Sequence, residues 1–262
     1  MFKTILKTIN TSLAFLILLS FLSTTVKAKQ AELIQIIVYH FATDVQVIQT
    51  ENYLKDAYIP ALHQQKIDRI GVFKPIDFSQ DKRLFVVIPY SSFNHFSKVT
   101  KLVALDKNYL NAGDKYINAL YNEAPYIRKE IMFLNSFSTV PILQKPNLKG
   151  SVNEKVYELR SYESATESLH QKKVKMFNEG GETEIFSRLQ FNPIFYGSVL
   201  AGSKTPNLMY LTSFENMDER KAHWAAFSAD ESWKKLLALP EYKNTVSKNE
   251  TVFLRSTAYS DL

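Results

Sequence analysis

The sequence predicts an α+β protein made of two tandem β-α-β-β-α-β units. Three observations carry that expectation. Each half opens on a strand-like segment, Ile34-Gln-Ile-Ile-Val-Tyr-His-Phe41 in the first and Val156-Tyr-Glu-Leu-Arg-Ser-Tyr162 in the second. Two segments of the first half lie over two of the second. Leu84-Phe-Val-Val-Ile-Pro-Tyr matches Leu208-Met-Tyr-Leu-Thr-Ser-Phe, and Glu130-Ile-Met-Phe-Leu-Asn-Ser matches Glu250-Thr-Val-Phe-Leu-Arg-Ser. The matched starts are 46 residues apart in the first half (84 to 130) and 42 in the second (208 to 250), as a duplication requires. Finally, residues 139–153 hold Pro141, Pro146 and Gly150 with little periodicity, which marks a linker.

Taken in order, residues 33–41 form the first strand. Apolar residues on both parities imply a strand covered on both faces. A helix is expected over 47–65, where Tyr53, Leu54, Ala57, Tyr58 and Leu62 share one side, with Pro60 kinking or restarting it. Residues 69–75 and 83–90 read as a strand pair around the polar turn 77–82. Helix is expected at 93–105 and 109–120, and residues 129–137 close the unit. In the second unit, strand 155–162 precedes a helical stretch 165–190 broken at Gly180-Gly181. Strands 194–200 and 207–214 follow, then helix 217–238 with Asp218 as its N-cap or in its first turn. Strand 251–257 ends the unit.

This element order is the ferredoxin-like arrangement, an antiparallel sheet with both helices on one face. The other face is apolar and needs a cover, which the second unit supplies in cis by packing sheet against sheet. A ligand would sit between the sheets or between sheet and helices. The units are placed at 29–138 and 154–262, joined by 139–153.

Residues 1–28 read as a Sec-type signal peptide. Lys3 and Lys7 precede an apolar core centred on residues 13–19, and Val26-Lys27-Ala28 fits cleavage after Ala28. The apolar run is short for a bilayer span of about 20 residues. The expected location is therefore secreted or periplasmic, in a bacterium, with no stable membrane span after cleavage. The chain has no cysteine, so disulfides, thiolate metal sites and thiol nucleophiles are excluded. Removing three lysines with the leader leaves 29 basic against 26 acidic residues, a net +3, with acids interleaved; nucleic-acid binding is not expected. No P-loop, dinucleotide fingerprint or nucleophile elbow is present, which argues against kinase, Rossmann and α/β-hydrolase chemistry.

Residues 157–162 resemble the opening strand of NIPSNAP domains. Residues 207–224, from Asn207-Leu-Met-Tyr-Leu through Lys221-Ala-His-Trp224, resemble their central strand and following helix, and Trp233 fits the end of that helical stretch. The resemblance covers about residues 154–260. The first half has Val38-Tyr-His-Phe41 in place of Glu-Leu-Arg and has no Trp. The resemblance implies a dimeric α+β barrel, here formed within one chain. It brings no catalytic residues, because the family has no agreed set.

Candidate ligand-binding residues are Glu158, Arg160, Tyr162, Tyr196, Tyr210, His223 and Trp224. Glu158 and Arg160 share a strand face, which Tyr162 continues. Facing a cavity, they would orient a polar ligand group through the guanidinium fork; otherwise they form a salt bridge at the strand edge. His223 is either a haem ligand or a half-exposed imidazole between aromatics. No cofactor is expected, with haem the alternative. His40 ends a strand that could face a cavity of the first repeat; His63, His95 and His170 read as solvent-facing, and Glu179, Glu182 and Glu184 as a solvated helix break. Two functions are carried forward. One is a binding or interaction module for an apolar or aromatic small molecule, with a homo-oligomer allowed. The other is a cofactor-poor barrel-type oxygenase acting on an aromatic or lipid-like substrate. The asymmetry between halves places a single site in 154–260, with the first half mainly covering the second's sheet.

Overall fold

The computed structural model describes residues 30–262; the signal peptide reading lies outside them. The first unit runs β1 (Leu33–His40), α1 (Asp44–Tyr53), a π turn (Leu54–Tyr58), α2 (Ile59–Gln64), β2 (Gly71–Pro75), β3 (Arg83–Tyr90), α3 (Phe93–Ala104), α4 (Lys107–Ala112), α5 (Asp114–Ile117) and β4 (Arg128–Ser136). The second runs β5 (Val156–Glu163), α6 (Glu167–Asn178), α7 (Glu182–Arg188), β6 (Asn192–Ala201), β7 (Asn207–Phe214), α8 (Met217–Ala229), α9 (Glu231–Ala238), a short 3-10 turn (Pro240–Tyr242) and β8 (Lys248–Ser256).

The eight strands close into one antiparallel barrel in the order β1-β3-β2-β8-β5-β7-β6-β4. The two four-stranded sheets thus meet at their edges, β2 on β8 and β4 on β6, rather than simply stacking face to face. Closure leaves no unpaired edge and turns the two uncovered faces into one interior. Ile34, Ile36 and Val38 of β1 join Phe85, Val87, Leu134, Tyr157, Leu159 and Leu211 there. The opposite parity of β1, Leu33, Ile37 and Tyr39, packs under the helices. This accounts for a strand that is apolar on both faces.

Strand register proves the repeat. Val38 lies opposite Phe85 and Glu130, and Ser161 lies opposite Met209 and Glu250. Gln35 is therefore equivalent to Glu158, Ile37 to Arg160 and Tyr39 to Tyr162.

Local chemistry sets the helix boundaries. The long first helix changes to π geometry just before Pro60, which lacks an N–H and crowds the carbonyl four residues back. Gly181, at φ 101°, starts α7 in a left-handed conformation that side chains resist. Asn216, rather than Asp218, caps α8; its Oδ1 accepts from the N–H groups of Asp218 and Glu219, and Asp218 sits in the first turn. The expected single helix 217–238 is divided at Asp230, whose carboxylate caps α9 through the Ser232 and Trp233 N–H groups.

The C-terminal segment ties the halves together. Thr257 N–H donates to the Val72 carbonyl and Asp261 N–H to that of Ile70. Ser260 Oγ and Asp261 Oδ2 accept from the Val72 and Ile70 N–H groups at 3.0 and 2.8 Å. Deleting residues 258–262 leaves those two buried N–H groups unpaired. The expected loss is about 2 kcal/mol of stability, read as a lower urea midpoint; an unchanged midpoint would refute the latch.

Candidate functional site

Sheet parity decides where the predicted residues point. On β5, Tyr157 and Leu159 enter the barrel. Glu158, Arg160 and Tyr162 face the other way, beneath α6 and α8, so the inter-sheet placement does not hold. Glu158 is not at a strand edge either: it has no exposed surface. Its Oε2 accepts from Arg220 Nε and Trp224 Nε1, both at 2.8 Å, and its Oε1 accepts from Arg220 Nη2 at 2.7 Å. Arg160 Nη1 lies 3.5 Å from Oε1, and its guanidinium stacks 4.3 Å from the Trp224 ring. A cation over an indole face is attracted by the ring's quadrupole.

Tyr162 and Tyr210 share a hydroxyl–hydroxyl bond of 2.8 Å. Burial pushes the Tyr162 phenol up to about 12 and holds those of Tyr196 and Tyr210 above the usual tyrosine range, so none serves as a phenolate base near neutrality. Tyr196 and Tyr210 are packed with Phe177, Phe186, Phe191 and Phe214. His223 lies between Phe191 and Phe214, at 6.0 and 5.7 Å between ring centres, with Nδ1 buried and without a hydrogen-bond partner. It lines neither the barrel-end chamber nor the first-repeat cavity.

Two expectations about polar residues change, those for Glu182 and His170. Glu182 is buried, not solvated, and pairs with buried Lys173 at 2.7 Å. His170 is half-buried, and its Nε2 bonds Ser198 Oγ at 2.7 Å. His63 is exposed, as expected, and contacts Asp261 of the tail. Among the described residues no group of three or more His, Cys, Asp or Glu is placed to hold a metal, and no helix is long and apolar enough to cross a membrane.

An open space between sheet and helices lies in the first repeat. A cavity of about 260 Å³ is lined by Tyr39, Tyr53, Tyr58, Tyr90 and Tyr109, by Phe96 and Val103, and by Lys129. Register shows what occupies the equivalent place in the second repeat. The lining residues Gln35, Ile37 and Tyr39 of β1 correspond to Glu158, Arg160 and Tyr162 of β5. There Arg220 and Trp224 of α8 close over the strand, bonded to Glu158 and stacked on Arg160. Tyr53 stacks on Tyr116 at 3.7 Å and shares a 3.0 Å hydroxyl bond with Tyr109. Tyr90 Oη donates to the Gln35 side-chain Oε1 at 3.3 Å. Burial pushes the Tyr58 phenol up to about 12 and raises those of Tyr39, Tyr53 and Tyr90 as well. These hydroxyls stay protonated and act as donors. Lys129 is the basic residue of the lining. Its ammonium lies 6.0 and 5.9 Å from the Tyr39 and Tyr126 rings, and desolvation holds it below the usual lysine range.

Arg220, Lys173 and this tyrosine set do not stand out in the sequence: Tyr53 and Tyr58 share one side of the first helix, but nothing local shows the open space beside them.

Architecture and comparison agree on the class: an α+β barrel of two ferredoxin-like units within one chain. The chain is similar over its whole fold to a proposed monooxygenase from Fusobacterium nucleatum, with 9% identity, 87% of this chain and 93% of that one covered, and a TM-score of 0.57. One from Lactobacillus acidophilus gives 9%, 87%, 94% and 0.57. An anthrone oxidase-like protein gives 10%, 88%, 93% and 0.55. At these identities the likeness is one of fold. No curated protein matches. The sequence model of the NIPSNAP family matches residues 157–261, within the second half of the chain.

Proposed function

We propose that the protein binds a small, flat aromatic molecule in the first-repeat cavity, outside the cytoplasm once the leader is removed after Ala28. The carrying observation is the cavity itself, apolar and ringed by phenol donors. An apolar cavity of about 150 Å³ holds benzene, so about 260 Å³ has room for a second ring. The tyrosine rings supply stacking faces, and their hydroxyls orient a polar substituent. Titration with 1-naphthol by calorimetry tests this. Thr100→Trp, on the partly exposed α3 wall of the cavity, is expected to weaken binding at least about tenfold by filling the space. Equal affinity in the variant would place binding elsewhere.

A second reading, a cofactor-poor oxygenase, is favoured by Lys129. Direct reaction of an acidic phenol or anthrone-type substrate with dioxygen begins with loss of a proton. The Lys129 amine, on the exposed side of the cavity wall, is placed to accept that proton. The fold shared with proposed monooxygenases makes the reading concrete, though fold alone does not carry function. Oxygen uptake with such a substrate, lost in Lys129→Met while 1-naphthol still binds, would establish it. Binding without uptake leaves the binding function alone.

A further inference from the structure

We propose that one end of the barrel interior is a second, separate small-molecule site, selective for a compact organic cation: a single apolar ring carrying a protonated amine. The chamber there measures about 140 Å³. Its floor and walls include Val38, Phe85, Met132, Leu159 and Met209, which suits one benzene-sized group.

The rim supplies the polarity. Arg83 is engaged by Asp81, which accepts from its Nε and Nη2 at 2.6 and 2.5 Å, and reaches Glu250 only at 3.4 Å. Lys204 Nζ sits 2.7 Å from Glu250. Each rim cation therefore has its own carboxylate. Glu130 does not have a cation of this kind. Its Oε2 accepts from Ser203 Oγ at 3.2 Å. Its Oε1 lies 2.8 Å from His40 Nε2, yet that buried nitrogen is not aligned for a hydrogen bond. Among the lining side chains, Arg83 and Lys204 are thus each engaged by a carboxylate other than Glu130, whose own partners are the Ser203 hydroxyl and the His40 ring.

The duplication explains the imbalance. Glu130 and Glu250 occupy equivalent places on β4 and β8. Arg83, opposite His40, has Asn207, opposite Glu163, as its equivalent. The rim thus keeps both carboxylates but has an arginine on one side only. An ammonium group seated above the apolar floor completes the pairing at Glu130, while a carboxylate ligand is repelled by it.

The test is titration of the full mature chain with benzylamine, benzyl alcohol and benzoate, followed by calorimetry. Benzylamine is expected to bind about tenfold or more tightly than the alcohol, and benzoate not at all. Glu130→Gln should abolish the preference. Ser203→Lys, on an exposed turn, should do the same by placing a cation beside Glu130 without altering a strand. Thr100→Trp should leave benzylamine binding intact, which separates this site from the tyrosine cavity. Equal binding of all three probes, or an amine preference that survives both Glu130→Gln and Ser203→Lys, would overturn the proposal. So would loss of benzylamine binding in Thr100→Trp.

Discussion

Replacing Glu158 by alanine is expected to cost about 3–5 kcal/mol of stability. The carboxylate is fully buried between β5 and α8. It accepts two hydrogen bonds from Arg220 and one from Trp224, and Arg160 stands beside it. Without it, two guanidinium groups and an indole N–H are left under the helix with no acceptor. Glutamine does not rescue the site. Its oxygen satisfies one side, but its amide group then presents N–H donors to the donors of Arg220. The loss is therefore expected to be nearly as large in Glu158→Gln. Urea unfolding followed by tryptophan fluorescence measures it well, because both tryptophans, Trp224 and Trp233, lie in this repeat. A loss under about 1 kcal/mol in both variants would show that water or another residue takes over the pairing.

Lys173→Ala is expected to destabilise the protein by a similar amount, about 3–5 kcal/mol, by stranding Glu182. Lys173 and Glu182 are both buried, on α6 and at the start of α7, 2.7 Å apart. The ammonium also lies 5.4 Å from the Tyr162 ring and 5.6 Å from that of Phe177. Removing one partner leaves a buried charge. Removing both, as in Lys173→Met with Glu182→Leu, takes away the desolvation cost along with the attraction. The double variant is expected to match or exceed the parent in thermal midpoint. A double variant as unstable as Lys173→Ala would mean that the pair positions α6 against α7 in a way packing cannot replace.

Much of the fold was legible in the sequence because it is written in local periodicity. The alternation in β1 and β5, the turns at 77–82 and 201–206, and the proline-bearing linker each follow from side-chain spacing and backbone preference. The repeat was legible too, because Leu84 and Leu208, and Glu130 and Glu250, keep nearly the same separation. The site was far less legible. Glu158 and Arg160 read as a local pair, two residues apart on one face, but the chief partner of Glu158 is Arg220, brought in by the fold from 62 positions away. Glu182 read as solvated beside two glycines, yet α6 folds back and supplies Lys173. His170, read as exposed, meets Ser198 across the same packing layer.

By itself the sequence determined the element order, the internal repeat and the resemblance of the second half to NIPSNAP domains, since these depend on neighbours along the chain. Tertiary structure alone decided which face of β5 enters the barrel and how the two sheets join at their edges. It also decided that the hollow space falls in the first repeat. The physical reason for that last point is what covers the strand face beneath the helices. Gln35, Ile37 and Tyr39 are unremarkable in their own segment, and so are Glu158, Arg160 and Tyr162. Only when α8 brings Arg220 and Trp224 onto the second set is that face filled, while the first set lines a tyrosine-rich cavity.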